Sequence, residues 1–163
     1  MNDEIKVSII CNAYNHGKYI RDALNGFVMQ KTDFRYEVLI HDDASTDDTA
    51  EIIREFEAKY PDIIKSIYQK ENQYSKGVWI TAEYQFSRVL GKYIAMCEGD
   101  DYWTDPDKLQ KQYDAMEAHP ETDICAHSST LINASDGTVA GTVHHSDKMT
   151  VIPTENVIDG GES

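Results

Sequence analysis

An α/β domain with a mainly parallel sheet is predicted by three features of the chain. Short apolar runs recur along it, stretches with apolar residues at i, i+3, i+4 and i+7 lie between them, and acids gather just past two of the runs. Ligands of an open α/β sheet bind at the carboxyl ends of its strands, so those acidic loops are also where chemistry is expected.

Lys6 to Cys11 is the first predicted strand, and Asn12-Ala13-Tyr14-Asn15-His16-Gly17 is the turn-rich loop leading out of it. Ile20, Ala23, Leu24, Phe27 and Val28 then fall on one helical stripe. Tyr36 to Ile40 makes a second strand, followed by His41-Asp42-Asp43-Ala44-Ser45-Thr46-Asp47-Asp48. In that loop Ser45, Thr46 and Asp47 are competent N-caps and acids suit a helix's first turn, so Asp47 and Asp48 are accounted for without chemistry. The second helix carries Ile52, Ile53, Phe56 and Tyr60 on one face and stops at Pro61.

Ile63 to Tyr68 reads as a third strand, and a polar loop from Gln69 to Gly77 follows. Trp79, Ala82, Phe86 and Leu90 predict a third helix with Gly91 as its cap. Tyr93 to Cys97, almost without polarity, predicts a strand buried on both faces. Thr104-Asp105-Pro106 supplies a helix start, and Leu109, Tyr113 and Met116 carry that helix to His119-Pro120. Ile124 to His127 is a fifth predicted strand. Beyond it, Asp136-Gly137 between the β-prone runs Ser128 to Asn133 and Thr138 to His144 signals a hairpin. The tail from Ser146 to Ser163 shows no periodicity.

With 163 residues, 40% hydrophobic and 27% charged, the chain suits one soluble domain with one core over residues 1–163. No signal-peptide pattern and no 18-residue apolar run is present, which predicts no membrane-spanning segment and a cytoplasmic protein. Cys11, Cys97 and Cys125 each lie in an apolar stretch outside any Cys-x-x-Cys pair, and read as small buried hydrophobes in a reducing compartment. A net charge of −14 excludes nucleic acid or anionic membrane held by a basic patch. It also sets a condition on phosphate ligands. Like charges about 4 Å apart repel by roughly 4 kcal/mol at an effective dielectric near 20, and a divalent cation between them reverses the sign.

Three loops, after the first, second and fourth strands, should lie along one sheet edge. Tyr14 offers an aromatic face for a nucleobase and Asp43 an acceptor for a ring N–H. Asp100 and Asp101, in the turn Glu98-Gly99-Asp100-Asp101, are hard-oxygen donors suited to Mg²⁺ or Mn²⁺. Taken singly, Tyr14 also fits a packing role and the acids a solvated loop.

In this order and these contexts the segments resemble the family 2 glycosyltransferases of the GT-A, Rossmann-like fold. Val7 to Asn15 is similar to their first strand and nucleotide loop, His41 to Asp47 to their Asp-Asp-x-Ser segment, and Glu98 to Trp103 to their metal-binding "DXD" element. The resemblance implies transfer of sugar from a nucleotide-sugar donor, a UDP-sugar, to a saccharide or lipid-linked acceptor in polysaccharide biosynthesis. It implies an inverting reaction, a Mn²⁺ or Mg²⁺ cofactor and a place at the inner face of the membrane. Asn12, Ala13, Tyr14, Asn15, Asp42 and Asp43 would bind the nucleotide, Asp100 would face its ribose, and Asp101 would hold the cation on the diphosphate.

Glu98 stands where many members have Asp, and is expected behind the ligands. Lys76-Gly77 matches only loosely a loop that carries a basic residue near the phosphates, and a solvated lysine is expected there. No catalytic base is recognisable. Asp136 fits a turn and His144-His145 a strand end, while Asp147 and Asp159 lie in the aperiodic tail. The chain is therefore expected to bind donor but transfer sugar poorly, as a domain truncated on its acceptor side. A nucleotidyltransferase and a nucleotide-sugar-binding module without transfer stay open as alternatives.

Overall fold

β1 (Ile5–Ala13) is an inner strand of a four-stranded sheet: Val7 to Cys11 are buried throughout, as expected of a strand paired on both edges and covered on both faces. The structure is a computed structural model and describes residues 4–144, 150 and 151. On one side β1 pairs in parallel with β2 (Arg35–Asp42), which pairs in parallel with β3 (Ile64–Tyr68). On the other side it pairs in parallel with β4 (Tyr93–Met96), giving the order β3-β2-β1-β4. The chain thus builds outward from β1 and then returns to its free edge. The reversal creates a topological switch point between β1 and β4.

α1 (Ile20–Val28) buries Ile20, Ala23, Leu24 and Phe27 of the predicted stripe, with Val28 half-buried against the core. α2 (Thr49–Lys59) buries Ile53 and Phe56, and the Tyr60 N–H still donates to the Phe56 carbonyl before Pro61 ends the run. α3 (Lys108–Ala118) seats Leu109, with Tyr113 against Phe34 and Tyr93. The described residues fall into two compact units, divided after Asp114. In the second unit β5 (Ser129–Ile132) and β6 (Val139–Val143) form the predicted antiparallel hairpin, turned through Gly137 at φ 73°. Asp136 accepts from the Thr138 N–H and hydroxyl, the structural role assigned to it. His144 lies across from Ser128 at the end of the hairpin, while His145, Asp147 and Asp159 are outside the described residues.

Four expectations need correction. Tyr93 to Cys97 is not buried on both faces, because β4 pairs only with β1 and Ile94 and Met96 point outward, 44% and 59% exposed. Residues 79–90 form only a π-helical turn (Thr81–Gln85) and a 3₁₀ turn (Phe86–Arg88), and Trp79, Phe86 and Leu90 face outward. The inward positions are Ile80, Thr81 and Gln85. Gln85 is wholly buried because its amide nitrogen donates to the strand carbonyls of Cys11 and Leu39, which makes the polar side the inner one. Ile124 to His127 forms no strand, and Ile124 is exposed with no paired partner strand. Cys125 is only half-buried, whereas Cys11 and Cys97 are buried as expected.

A buried polar knot fixes the approach to β4. The Ser8 hydroxyl donates to a Glu37 carboxylate oxygen at 2.7 Å, and both accept from the Leu90 N–H, while Ser8 also accepts from the Gly91 N–H. Gly91 has to be glycine there, since a Cβ would lie 2.6 Å from the backbone of Val7 and Ser8. Among the described residues no helix is long and apolar enough to cross a membrane.

Candidate functional site

The carboxyl ends of β1, β2 and β4 surround one cleft of about 390 Å³. Asn12, Ala13, Tyr14 and His16 line it from the first loop, His41 and Asp43 from the second, and Glu98 from the acidic turn. Tyr74, Trp79, Ile80 and Thr81 complete the wall. Tyr14 is 45% exposed and so has a free ring face, as a stacking residue requires. Asn12 is held at the mouth of β1 by donation to the Thr81 hydroxyl at 3.0 Å.

Asp43 does more than line the cleft. Its two carboxylate oxygens accept the backbone N–H groups of Gln73 at 2.7 Å and Tyr74 at 3.0 Å, and its carbonyl accepts from Asn72. One buried acid therefore anchors the loop that carries Tyr74. Sequence reasoning missed this because the partners are main-chain groups thirty residues away. Asp42 lies outside the cleft wall: it is buried, accepts from the Ser45 N–H at 3.4 Å, and among the described residues its Oδ1 has no partner.

Asn15 is likewise outside the wall and ties the first two loops together. Its N–H donates to the Ser45 hydroxyl, and its side-chain oxygen accepts from the Thr46 N–H. Asn15 at φ 56° and Ala44 at φ 62° are both left-handed, a conformation Asn tolerates and Ala adopts at a cost of about 1–3 kcal/mol. Asp47 crosses the same gap, accepting from Gly17 and from Thr49 at the start of α2. Desolvation raises its pKa, and the Thr49 and Gly17 hydrogen bonds outweigh that and hold the carboxyl below the usual range.

The sequence matches the model of the Glycosyl transferase family 2 over residues 8–144. The chain belongs to that family. An uncharacterized protein of Mycobacterium tuberculosis is 47% identical over 126 residues, which is 77% of this chain and 36% of that one. The Bacillus subtilis glycosyltransferase TuaG, described for teichuronic acid biosynthesis, is 34% identical over 81% of this chain and 49% of its own length. This chain spans between about a third and a half of these relatives. Among solved structures, Staphylococcus aureus TarS 1–349 in complex with UDP superimposes with a TM-score of 0.59 at 27% identity, covering 78% of this chain and 35% of that one. A Pyrobaculum calidifontis mannosyltransferase in complex with GDP-Man and Mn²⁺, at 22% identity and a TM-score of 0.57 over 83% of this chain and 38% of its own, shares the fold. The fold is thus GT-A.

In this family 2 domain the acidic turn closes through the Asp101 N–H to the Glu98 carbonyl. Its placement comes from below, where α1 meets the backbone that follows the turn. A Cβ on Gly26 would lie 2.9 Å from Trp103 N and O, so only glycine lets the helix seat Trp103 edge-on against Phe27 at 5.1 Å. Gly26→Ala should destabilise by about 1–3 kcal/mol, the usual cost of overpacking. Urea unfolding should show it as a lower midpoint at unchanged slope, and an unchanged midpoint would refute the contact.

Glu98 is the acid of the turn that faces the cleft. Burial raises its pKa, the Asn12 hydrogen bond lowers it, and the Asp100 charge raises it again, leaving the carboxyl above its usual range. Asp100 and Asp101 are exposed and stand outside the cleft wall, with Asp100 4.0 Å from His16 Nε2. Burial first, and then the Asp101 charge, pushes the Cys97 thiol up to about 12, which keeps it inert beneath the turn. Among the described residues no three His, Cys, Asp or Glu side chains converge as a closed metal site. One or two exposed carboxylates fit Mg²⁺ or Mn²⁺ nonetheless, since such ions take a few protein oxygens and complete their shell with water and phosphate. Lys76 pairs with Glu71 at 2.8 Å on the surface, in keeping with a solvated lysine.

Proposed function

We propose that the cleft binds the nucleoside diphosphate of a UDP-sugar and that the domain serves sugar transfer, with inversion, to a hydroxyl of a saccharide or lipid-linked acceptor. The observation that carries this is the convergence of three strand-end loops on one cleft beside the switch point. The similarity to TarS, solved with UDP and with UDP-GlcNAc, supports a uridine donor, and the name of TuaG supports a cell-surface polysaccharide as product. In this reading Tyr14 stacks on the base, Asp43 accepts a ring N–H, and Asp100 meets the ribose. Asp101 is the ligand of a Mn²⁺ or Mg²⁺ cofactor, whose chemistry when bound is neutralisation of charge on the departing diphosphate.

The acceptor oxygen forms a bond to the anomeric carbon as the bond to the diphosphate oxygen breaks. No residue is assigned as the base that takes the acceptor proton. The reading carries with it a cytoplasmic site, peripheral at the inner face of the membrane. A titration of UDP, GDP, CDP and ADP with Mn²⁺, read by calorimetry and by thermal shift, tests donor binding. UDP at 100 times its dissociation constant should add about 2.7 kcal/mol of stability. Absence of any heat or shift with all four overturns the reading. Following UDP release and glycoside product separately with UDP-sugars then separates transfer from binding alone.

A further inference from the structure

His41, which no role assigned so far employs, stands at the end of β2 with no surface exposed to solvent and belongs to the cleft wall. Its ring is stacked on Tyr84 at 5.1 Å and 26°, so its orientation is fixed by packing. Gln69 Nε2 lies 3.1 Å from His41 Nε2. An amide nitrogen can only donate, so His41 Nε2 is the acceptor and the proton of the neutral ring is on Nδ1. That Nδ1 is buried and has no hydrogen-bond partner among the described residues. Burial lowers the pKa of the ring against the opposing charges of Asp43 and Asp42.

An unsatisfied buried donor in a cleft wall is an exception among native proteins and invites a ligand acceptor. Two residues on, Asp43 lines the same cleft, and a carboxylate has lone pairs beyond the two it gives to Gln73 and Tyr74. We infer that His41 is a base-reading residue, its Nδ1–H donating to a base carbonyl while Asp43 accepts the neighbouring ring N–H. This rests on the nucleoside diphosphate reading of the cleft.

A donor beside an acceptor complements a lactam edge, a ring N–H next to C=O, which uracil and guanine present. Cytosine and adenine present the reverse, a bare ring nitrogen beside an amino group. A site that hydrogen-bonds a ligand edge discriminates strongly against one that leaves its buried groups unpaired.

The test compares UDP and CDP by calorimetry with Mn²⁺, on the unaltered chain and on His41→Phe, which keeps a flat ring against Tyr84 and removes the N–H. The unaltered chain should prefer UDP at least about tenfold, a difference of 1.4 kcal/mol. His41→Phe should lose about that factor for UDP while CDP affinity stays, so the preference collapses. Equal losses for both, or no loss, overturn the inference. Should the variant not fold, ¹⁵N NMR of the histidines in the unaltered protein decides. His41 Nδ1 should be protonated when free, and its resonance should move with UDP and not with CDP. An unprotonated Nδ1, or one indifferent to UDP that calorimetry shows to be bound, overturns it. A chain that binds no nucleoside diphosphate fails in the first titration, before any variant is made, and removes the cleft reading and this inference together.

Discussion

Asp101→Asn is expected to weaken UDP binding at least about tenfold in the presence of Mn²⁺ or Mg²⁺, and excess chelator should do the same to the unaltered chain. The reason is electrostatic. Glu98 lines the cleft and Asp100 and Asp101 stand in the same turn outside its wall, in a chain of net charge −14, and a diphosphate brought beside such acids meets repulsion of roughly 4 kcal/mol per close pair. On the proposed reading, a cation held by Asp101 would convert that repulsion into attraction, and Asn keeps the oxygen while removing the charge. Because Asp101 is exposed, the substitution should leave the unfolding midpoint in place. Affinity that is equal with Mn²⁺ and with chelator would refute the metal-dependent reading.

Asp43→Ala should lose on the order of 1.5–3 kcal/mol of UDP affinity, the range for a hydrogen bond to a charged group. The structure adds a second cost, since the variant also leaves the N–H groups of Gln73 and Tyr74 without acceptors and frees the loop beside the cleft. Stability and affinity should therefore fall together. Asp47→Ala is the comparison. It removes the acceptor for Thr49 and Gly17 and should cost about 0.5–2 kcal/mol of stability, the value of a helix-start acceptor, while UDP affinity holds. Equal losses of affinity in the two variants would show that the acidic loop has been divided wrongly between binding and structure.

The alternation of strands and helices was legible because β1, β2 and the stripe of α1 are fixed by burial, and burial writes itself as periodicity. So were two of the three loops, since acids massed past β2 and β4 of one parallel sheet mark the edge where ligands of such sheets bind, while the first loop was read from its turn residues and Tyr14. Residues 79–90 misled because Trp79, Phe86 and Leu90 repeat like a buried face, whereas the side that packs inward is chosen by Gln85. A polar residue that satisfies strand carbonyls leaves no hydrophobic signature. His41 and His16 escape a reading of the sequence for a similar reason. A single imidazole in a sequence has no pattern, and only the cleft shows that they face the same space as Asp43 and Glu98. Ile94 and Met96 misled in the opposite sense, as apolar residues on the outer side of a strand paired on one edge.

The strand order has a consequence for how the chain matures during synthesis. β1 emerges before the other strands described, yet its Val7 pairs with Tyr93, so its second edge stays open until most of the first unit has been made. Such distant parallel pairing closes slowly and leaves an apolar edge bare in the meantime. The cleft needs the ends of both β1 and β4, so a nascent chain has no complete cleft before that closure. On the proposed reading of the cleft, a nucleotide ligand can stabilise this fold only after its last parallel strand has docked, never by gathering the first loops early.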